Sequence, residues 1–479
     1  MFNSYRDKLV AGTFWTLIGH VGLISINLVT NIFLARLLSP EEFGRLGIIM
    51  FFIALARVLS ESGLGGALVR NKNAQEIDYQ TIFTFNLFVS VLLNILLIFL
   101  SNPISNFYAD PELRFPLIVS SFILIINAFQ FVQNAKTLKK GLYRERAIYE
   151  IIATIIGSSI AISLASRGLG IWSLISHQII TSLVLTGLFI YHGDGIKKFS
   201  FQLQSLSEHI KYGVNTTASS LVNAFFENIY QALLGKYFSI SYTGNYFQAK
   251  KFQGFFGGIL NKLFLGVFFS ELSQLQDNKL LFKKSFSIIL KYITFILGFC
   301  TFFVFVFANE IIEILLGSMW IKSAYFLKML ILVGFFQIQE QAFRMLFKIF
   351  NKTFFLLILD LLKKALILIV IVLGIYFMNI EILMTGLLIV SFIGYVLNVY
   401  FTSKFLSISL KEDFFNVLKV ILSGFIIFIT YTNFLTQFSF GVLFAFTTLF
   451  YTLLGIIFGL VEIKEIKTLL SNNITVRKM

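Results

Sequence analysis

The stretch Thr216–Gly235, TTASSLVNAFFENIYQALLG, decides how the whole chain is read. It is long enough to cross a bilayer and contains no proline, yet it carries Thr216, Ser220, Asn223, Glu227 and Gln231. Read at 3.6 residues per turn, those five positions fall on one helix face. A carboxylate at mid-membrane depth costs roughly 2.5–3.5 kcal/mol or more unless it is paired or wet. Amides and hydroxyls alone could serve to hold helices together. Glu227 shifts the reading: the face is expected to look into a water-filled cavity inside a polytopic membrane protein.

The rest of the chain fits that setting. Of 479 residues, 57% are hydrophobic and only 13% charged, with 59 Phe, too apolar for a soluble domain to cover its own surface. Apolar runs of about 20 residues recur throughout. Fourteen spans are expected, near 11–35, 45–66, 79–100, 115–135, 148–166, 170–191, 213–234, 245–268, 286–308, 324–347, 354–376, 381–402, 414–433 and 439–460. The run Val10–Leu38 is too long for the apolar core of a secretory leader, so it is read as a span. The gaps are short, the longest near 192–212, and leave no room for a soluble catalytic domain. Cys300 is the sole cysteine, so no intramolecular disulfide forms and no cysteine metal site is suggested.

Charge placement supports the span count. With the N-terminus in the cytoplasm, inward-facing segments collect 23 Lys and Arg against 6 outside. Lys136, Lys139, Lys140, Arg144 and Arg146 share one inner loop, whereas the outer side holds Arg36, Arg45, Arg114, Arg167, Lys236 and Lys322. Such asymmetry predicts both termini inside. It also accounts for the net charge of +15 without nucleic acid.

A shift of 200 residues exposes a repeat. Gly44 then faces Gly244, Ser39 faces Ser239 and Arg36 faces Lys236. Thr216, Ser220, Glu227 and Gln231 face Thr16, His20, Asn27 and Asn31. Asn223 alone of the five meets an apolar residue, Leu23; elsewhere residue class agrees without a gap, although exact identity is low. The expected domains are a six-helix lobe over 1–195, a second over 196–403, and two extra helices with a tail over 404–479. Six spans is an even number, so the lobes enter the membrane in the same direction, a parallel repeat about the membrane normal.

Further charges fall inside the spans. Arg57 and Glu61 lie one turn apart, so they either pair with each other or face the cavity. Lys250, Lys251 and Lys262 lie on the eighth span; Lys250 and Lys251 are near enough to its end to snorkel. Four cations against Glu61 and Glu227 would leave a slight positive excess, suited to an anion. His20 reads first as a hydrogen-bonded packing residue and second as a proton carrier. Glu340, Arg344, Asp360, Lys363 and Lys364 form either structural ion pairs or a second cavity. There is no HExxH, GxSxG or P-loop sequence. GLGGAL, Gly63–Leu68, reads as a helix end with tight packing or a hinge. No metal, cofactor or enzymatic activity is expected.

The chain resembles the polysaccharide transporter family of flippases, in the superfamily that includes multidrug-and-toxin extruders and lipid II flippases. The resemblance is carried by NIFLARLLSPEEFGRLGII, ESGLGGALVR, GLGIWSL, YQALLGKYFSISYTGNYFQAKKF and LLGSMWIKSAYFLKMLI. It implies outward movement of oligosaccharides linked to undecaprenyl pyrophosphate, for O-antigen, capsule or exopolysaccharide, across the bacterial inner membrane. It also implies two lobes working by alternating access, with spans 1, 2, 7 and 8 lining the cavity. Expected partners are the lipid-linked oligosaccharide, membrane lipids, a polysaccharide polymerase and a chain-length regulator. The rival readings are a cation-coupled drug exporter on the same fold and, more remotely, a glycan polymerase. Two features depart from the family: no Pro is read inside a span, so bending is expected from Gly, Ser or Asn, and the cleft-side helix pairs mix charge signs, so the cavity is cationic only by a small excess.

Overall fold

A computed structural model describes residues 2–192, 199–406, 410–435 and 440–460. All regular structure among them is helical. In order the helices are α1 (Phe2–Leu37), α2 (Pro40–Glu61), α3 (Leu64–Arg70), α4 (Glu76–Tyr108), α5 (Arg114–Ser121), α6 (Ile123–Lys139), α7 (Tyr143–Ser166), α8 (Ile171–His192) and α9 (Leu203–Tyr237). Then follow α10 (Ile240–Gln274), α11 (Lys279–Val306), α12 (Ala308–Leu316), α13 (Ile321–Ile349), α14 (Phe354–Tyr376), α15 (Ile380–Leu406), α16 (Lys411–Thr430) and α17 (Phe440–Ile457). Helix accounts for most of the described residues in the expected spans, although 45–66, 115–135 and 286–308 each cross a break between two helices. By length and composition alone, ten described helical segments are apolar enough to cross a membrane, and α17 is a shorter apolar helix. The chain is a multi-pass membrane protein.

Local chemistry sets several boundaries. Ser39 caps α2: its hydroxyl accepts from the Glu42 amide, and the Glu42 carboxylate accepts from the Ser39 amide in return. Pro40 fills the first helical position, where no amide hydrogen is needed. Asn278 caps α11 by accepting from the Leu281 amide. GLGGAL marks a break and not a simple end: Ser62 and Gly63 both take left-handed backbone, with φ of 46° and 62°, and helix resumes as α3.

Two expectations need correction. Proline does occur inside helices: Pro103 lies within α4 and Pro116 in the first turn of α5. The gap near 192–212 is also shorter than the hydropathy suggested, because α9 starts at Leu203. Its polar first turns are invisible to a span search, but they are anchored. Ser205 donates to Asp78 at 2.5 Å, and Thr81 Oγ1 accepts from the Gln202 amide at 3.2 Å.

The helices pack as two compact units. The first comprises Met1–Gln248 with Leu315–Lys322; the second comprises Ala249–Ile314 with Ser323–Met479. In the first unit α1 lies along α7, α7 along α8, and α2 along α9. Ile48, Ile49 and Ile53 of α2 join Leu93 and Leu97 of α4 in a buried cluster. The tightest approach is between α2 and the start of α10. A Cβ on Gly44 would stand 2.0 Å from the Ile240 carbonyl oxygen, and one on Gly244 would stand 1.8 Å from that of Pro40. No side chain fits at either position. These are the two glycines that the 200-residue shift pairs.

In the second unit, Phe282, Phe286, Phe343 and Tyr395 form a buried aromatic core between α11, α13 and α15. Four of the five charges singled out on α13 and α14, Glu340, Arg344, Asp360 and Lys363, form ion pairs. Arg344 makes a two-pronged contact with Asp360 at 2.7 and 2.9 Å. Glu340, buried, accepts from Lys363 at 2.5 Å and lies 3.5 Å from Arg344. Gly394 on α15 leaves room for that pair, since a Cβ there would sit 3.3 Å from the Glu340 carboxylate.

Candidate functional site

The polar face of α9 is not uniform. Thr216 folds back on its own helix, donating to the Gly213 carbonyl at 2.9 Å. Ser220, Asn223 and Glu227 are exposed on the molecule's surface. Gln231, one turn further on, is only 2% exposed, and its backbone carbonyl accepts from Thr243 at 3.3 Å. The stripe is therefore open at its middle and closed at its Gln231 end.

The matching face of α1 repeats this gradient. Thr16 is exposed and donates to the Gly12 carbonyl at 2.7 Å. His20 is half-buried, and so is Asn27, whose amide donates to the Leu23 carbonyl at 2.8 Å. Asn31 is buried and donates to the Gln248 side-chain oxygen of α10 at 2.8 Å. Asn31 and Gln231, the paired positions of the repeat, are thus both packed inside.

On α2, Arg57 and Glu61 pair across one turn at 2.7 Å, with 57% and 39% of their side chains exposed. The reading in which the two satisfy each other is what the structure shows. The pair remains accessible, but the Arg57 charge is largely offset, so it adds less net positive charge than a plain count suggests. Lys250 and Lys251 stand half-buried on α10, in the second unit, and neither is without a partner. The side chain of Lys262 lies outside the described residues.

The sequence reading missed Gln248. It is completely buried and forms the far side of the Asn31 contact. A signal was present: Gly244, Gln248 and Lys251 are spaced i, i+4, i+7, on one face of α10. Also missed was Trp320, completely buried, which donates its indole N–H to the Ala35 carbonyl at 2.7 Å and meets Phe43 edge-on at 5.3 Å.

Chemically, these helices offer amides, hydroxyls and carboxylates suited to sugar hydroxyls, and a guanidinium suited to phosphate. Among the described residues no group of three or more His, Cys, Asp or Glu could hold a metal ion.

Helical architecture with accessible charge on apolar helices defines the class: a polytopic membrane protein with polar groups gathered on α1, α2 and α9. The chain belongs to a family described as polysaccharide biosynthesis protein, whose pattern matches residues 33–325. It is 24% identical over 307 residues to the succinoglycan biosynthesis transport protein ExoT of Rhizobium meliloti (strain 1021), a match spanning 64% of this chain and 62% of that one. It is 25% identical over 336 residues to the lipopolysaccharide biosynthesis protein WzxC of Escherichia coli (strain K12), covering 69% of this chain and 68% of that one. Among solved structures it is similar to the lipid II flippase MurJ in an inward closed conformation, with a TM-score of 0.69 at 17% identity, over 94% of this chain and 98% of that one. An inward-facing multidrug resistance MATE family transporter of the MOP superfamily is also similar, with a TM-score of 0.56 at 17% identity, over 80% of this chain and 95% of that one. The last two likenesses concern the fold.

Proposed function

We propose that the chain is a flippase that moves undecaprenyl-pyrophosphate-linked oligosaccharide units across the bacterial cytoplasmic membrane, for surface polysaccharide synthesis. The observation that carries this reading is the accessible polar set on α1, α2 and α9, Arg57–Glu61 and Glu227 above all, in a chain of the polysaccharide biosynthesis family. Charges at membrane depth are expensive unless paired or wet, so accessible ones on apolar helices suit a water-filled path. Transport names among its relatives, ExoT in particular, point the same way.

In this proposal 1–195 and 196–403 act as two lobes working by alternating access, and 404–479 is an appendage. The meeting of Gly44 with Gly244 supports that division, because a two-fold repeat brings paired residues together at its axis. Both termini lie in the cytoplasm. Arg57, Lys250, Lys251 and Lys262 attract the pyrophosphate, and the amides and hydroxyls of the α1 and α9 faces contact sugar. The lipid tail stays in the bilayer. An inside-negative potential assists outward movement of an anion by about 2.3 kcal/mol per charge per 100 mV. A polymerase and a chain-length regulator act on the product.

The test is complementation of a host lacking its own flippase. Arg57→Gln combined with Lys262→Gln is expected to abolish surface glycan while the protein stays in the membrane and lipid-linked intermediate accumulates inside. Normal glycan from that variant rules out the cationic-site reading.

A second reading, a cation-coupled drug exporter, is favoured by the MATE likeness and by the exposed carboxylate of Glu227. It requires drug resistance that is lost in Glu227→Gln, with no effect on glycan.

A further inference from the structure

Away from the polar faces of α1 and α9, the first unit contains a polar cavity of about 130 Å³ where the end of α6 meets the start of α7 and the end of α8. A water needs roughly 10–15 Å³ of such space, so a phosphate group with part of its hydration shell fits. Lys136 and Lys140 line it from α6, Glu145 and Tyr149 from α7, and His192 from α8.

These groups are arranged and not merely nearby. Lys136 is 9% exposed, and its ammonium is held by Glu76 at 2.9 and 3.0 Å. The same ammonium stands 4.9 Å above the Tyr79 ring. Tyr149 stacks on the His192 ring, with centroids 5.0 Å apart and planes 26° from parallel. His192 Nδ1 donates to the Leu188 carbonyl at 3.2 Å, so Nε2 is the nitrogen left for a ligand. Leu142, which also lines the cavity, occupies the N-cap of α7 and supplies no side-chain cap. The first-turn amides of a helix of 24 residues therefore open at the cavity's edge. Lys139, Arg144 and Arg146 lie close by along the chain, and Arg146 pairs with Glu150 at 2.8 Å, so five cations on this stretch and its lining stand against Glu76, Glu145 and Glu150.

We propose that this pocket binds a phosphate-bearing anion, at a site separate from the polar faces of α1 and α9. Its surroundings favour a phospholipid headgroup as the source. The pocket lies at the ends of spanning helices; exposed Leu142 lines it, and exposed Tyr143, Ile190 and Tyr191, the last 83% exposed, adjoin its lining residues in the chain. Basic pockets between helices at the membrane surface suit acidic headgroups, with aromatic and aliphatic rims against the upper acyl chain.

The experiment uses the purified full-length chain in neutral detergent, followed by thermal unfolding. Phosphatidylglycerol is expected to raise the unfolding temperature and phosphatidylcholine to leave it unchanged, since a ligand that binds only the folded state stabilises it. Lys140→Gln with His192→Gln should start from the same temperature and lose most of that shift. Glu76→Gln with Lys136→Gln, which removes an ion pair without stranding either charge, should lose it as well. A matching shift from inorganic phosphate, also lost in both variants, supports the site and assigns it to a soluble phosphate. An undiminished phosphatidylglycerol shift in both variants, or an equal shift from phosphatidylcholine, overturns the proposal. None of these variants touches Arg57, Glu227 or Lys262, so the outcome is independent of the transport reading.

Discussion

Asn31 and Gln248 show what a single residue contributes here. Both are buried, at 5% and 0% exposure, and they share one side-chain hydrogen bond of 2.8 Å between α1 and α10. Replacing Asn31 by Leu removes the donor and strands the Gln248 amide in an apolar setting, a loss of about 1–3 kcal/mol. Replacing both by Leu removes both desolvation penalties, so Asn31→Leu/Gln248→Leu should recover most of the single variant's loss. Thermal unfolding of the four proteins in the cycle checks this; a double variant that loses the sum of the two single losses would mean that the hydrogen bond carries no coupling. Spacing in the sequence sets Asn31 on the same face of α1 as Thr16 and Asn27. It could not show that the face is open at Thr16 and shut at Asn31, because periodicity gives direction around a helix but not the neighbour that covers it. Arg57 and Glu61 were easier to read, since i, i+4 spacing alone makes them reach each other.

At the scale of the element, the break between α2 and α3 stands out. Gly63 holds a φ of 62° and packs on α9 about three turns past its start, where an added Cβ would fall 2.0 Å from Thr216 Oγ1 and 2.9 Å from the Gly213 carbonyl oxygen. Gly63→Ala therefore meets two penalties: left-handed backbone, about 1–2 kcal/mol for a residue with a Cβ, and crowding of about 1–3 kcal/mol. Gly63→Ala/Thr216→Ala removes the hydroxyl but keeps the carbonyl contact and the backbone strain. It should regain only part of the lost thermal stability. Full recovery would show that the backbone at Gly63 is unconstrained. The break itself was half legible. Its glycines announce an interruption, but a run of apolar residues on both sides cannot say that helix resumes within a few residues. The early start of α9 was illegible for a different reason. Leu203–Tyr212 is too polar to register as a span, and it folds because Ser205 and Gln202 find partners on α4.

At the scale of the whole molecule, the helical membrane class followed from composition, and the helices followed from the recurrence of long apolar runs, both robust to small errors at the ends. The division into units was harder. Covalent order suggests boundaries near 195 and 403, whereas packing draws Leu315–Lys322 into the first unit and assigns the chain beyond Gln248 largely to the second. Trp320 explains part of this: its indole is anchored on Ala35 and Phe43, nearly three hundred residues earlier in the chain. Packing alone does not orient the chain in a membrane; charge does. Lys136–Arg146 and Lys279–Lys284 are dense in cations, whereas Asp110–Arg114 and Gly317–Lys322 are sparse. If the positive segments face the cytoplasm, single cysteines at Gly141 and Leu281, in a Cys300→Ser background, should react with a membrane-impermeant maleimide only after the cells are opened. Cysteines at Glu112 and Met319, which is half-exposed, should react on intact cells. Reaction of Gly141→Cys from outside would invert the topology, and with it the direction of transport proposed for this chain.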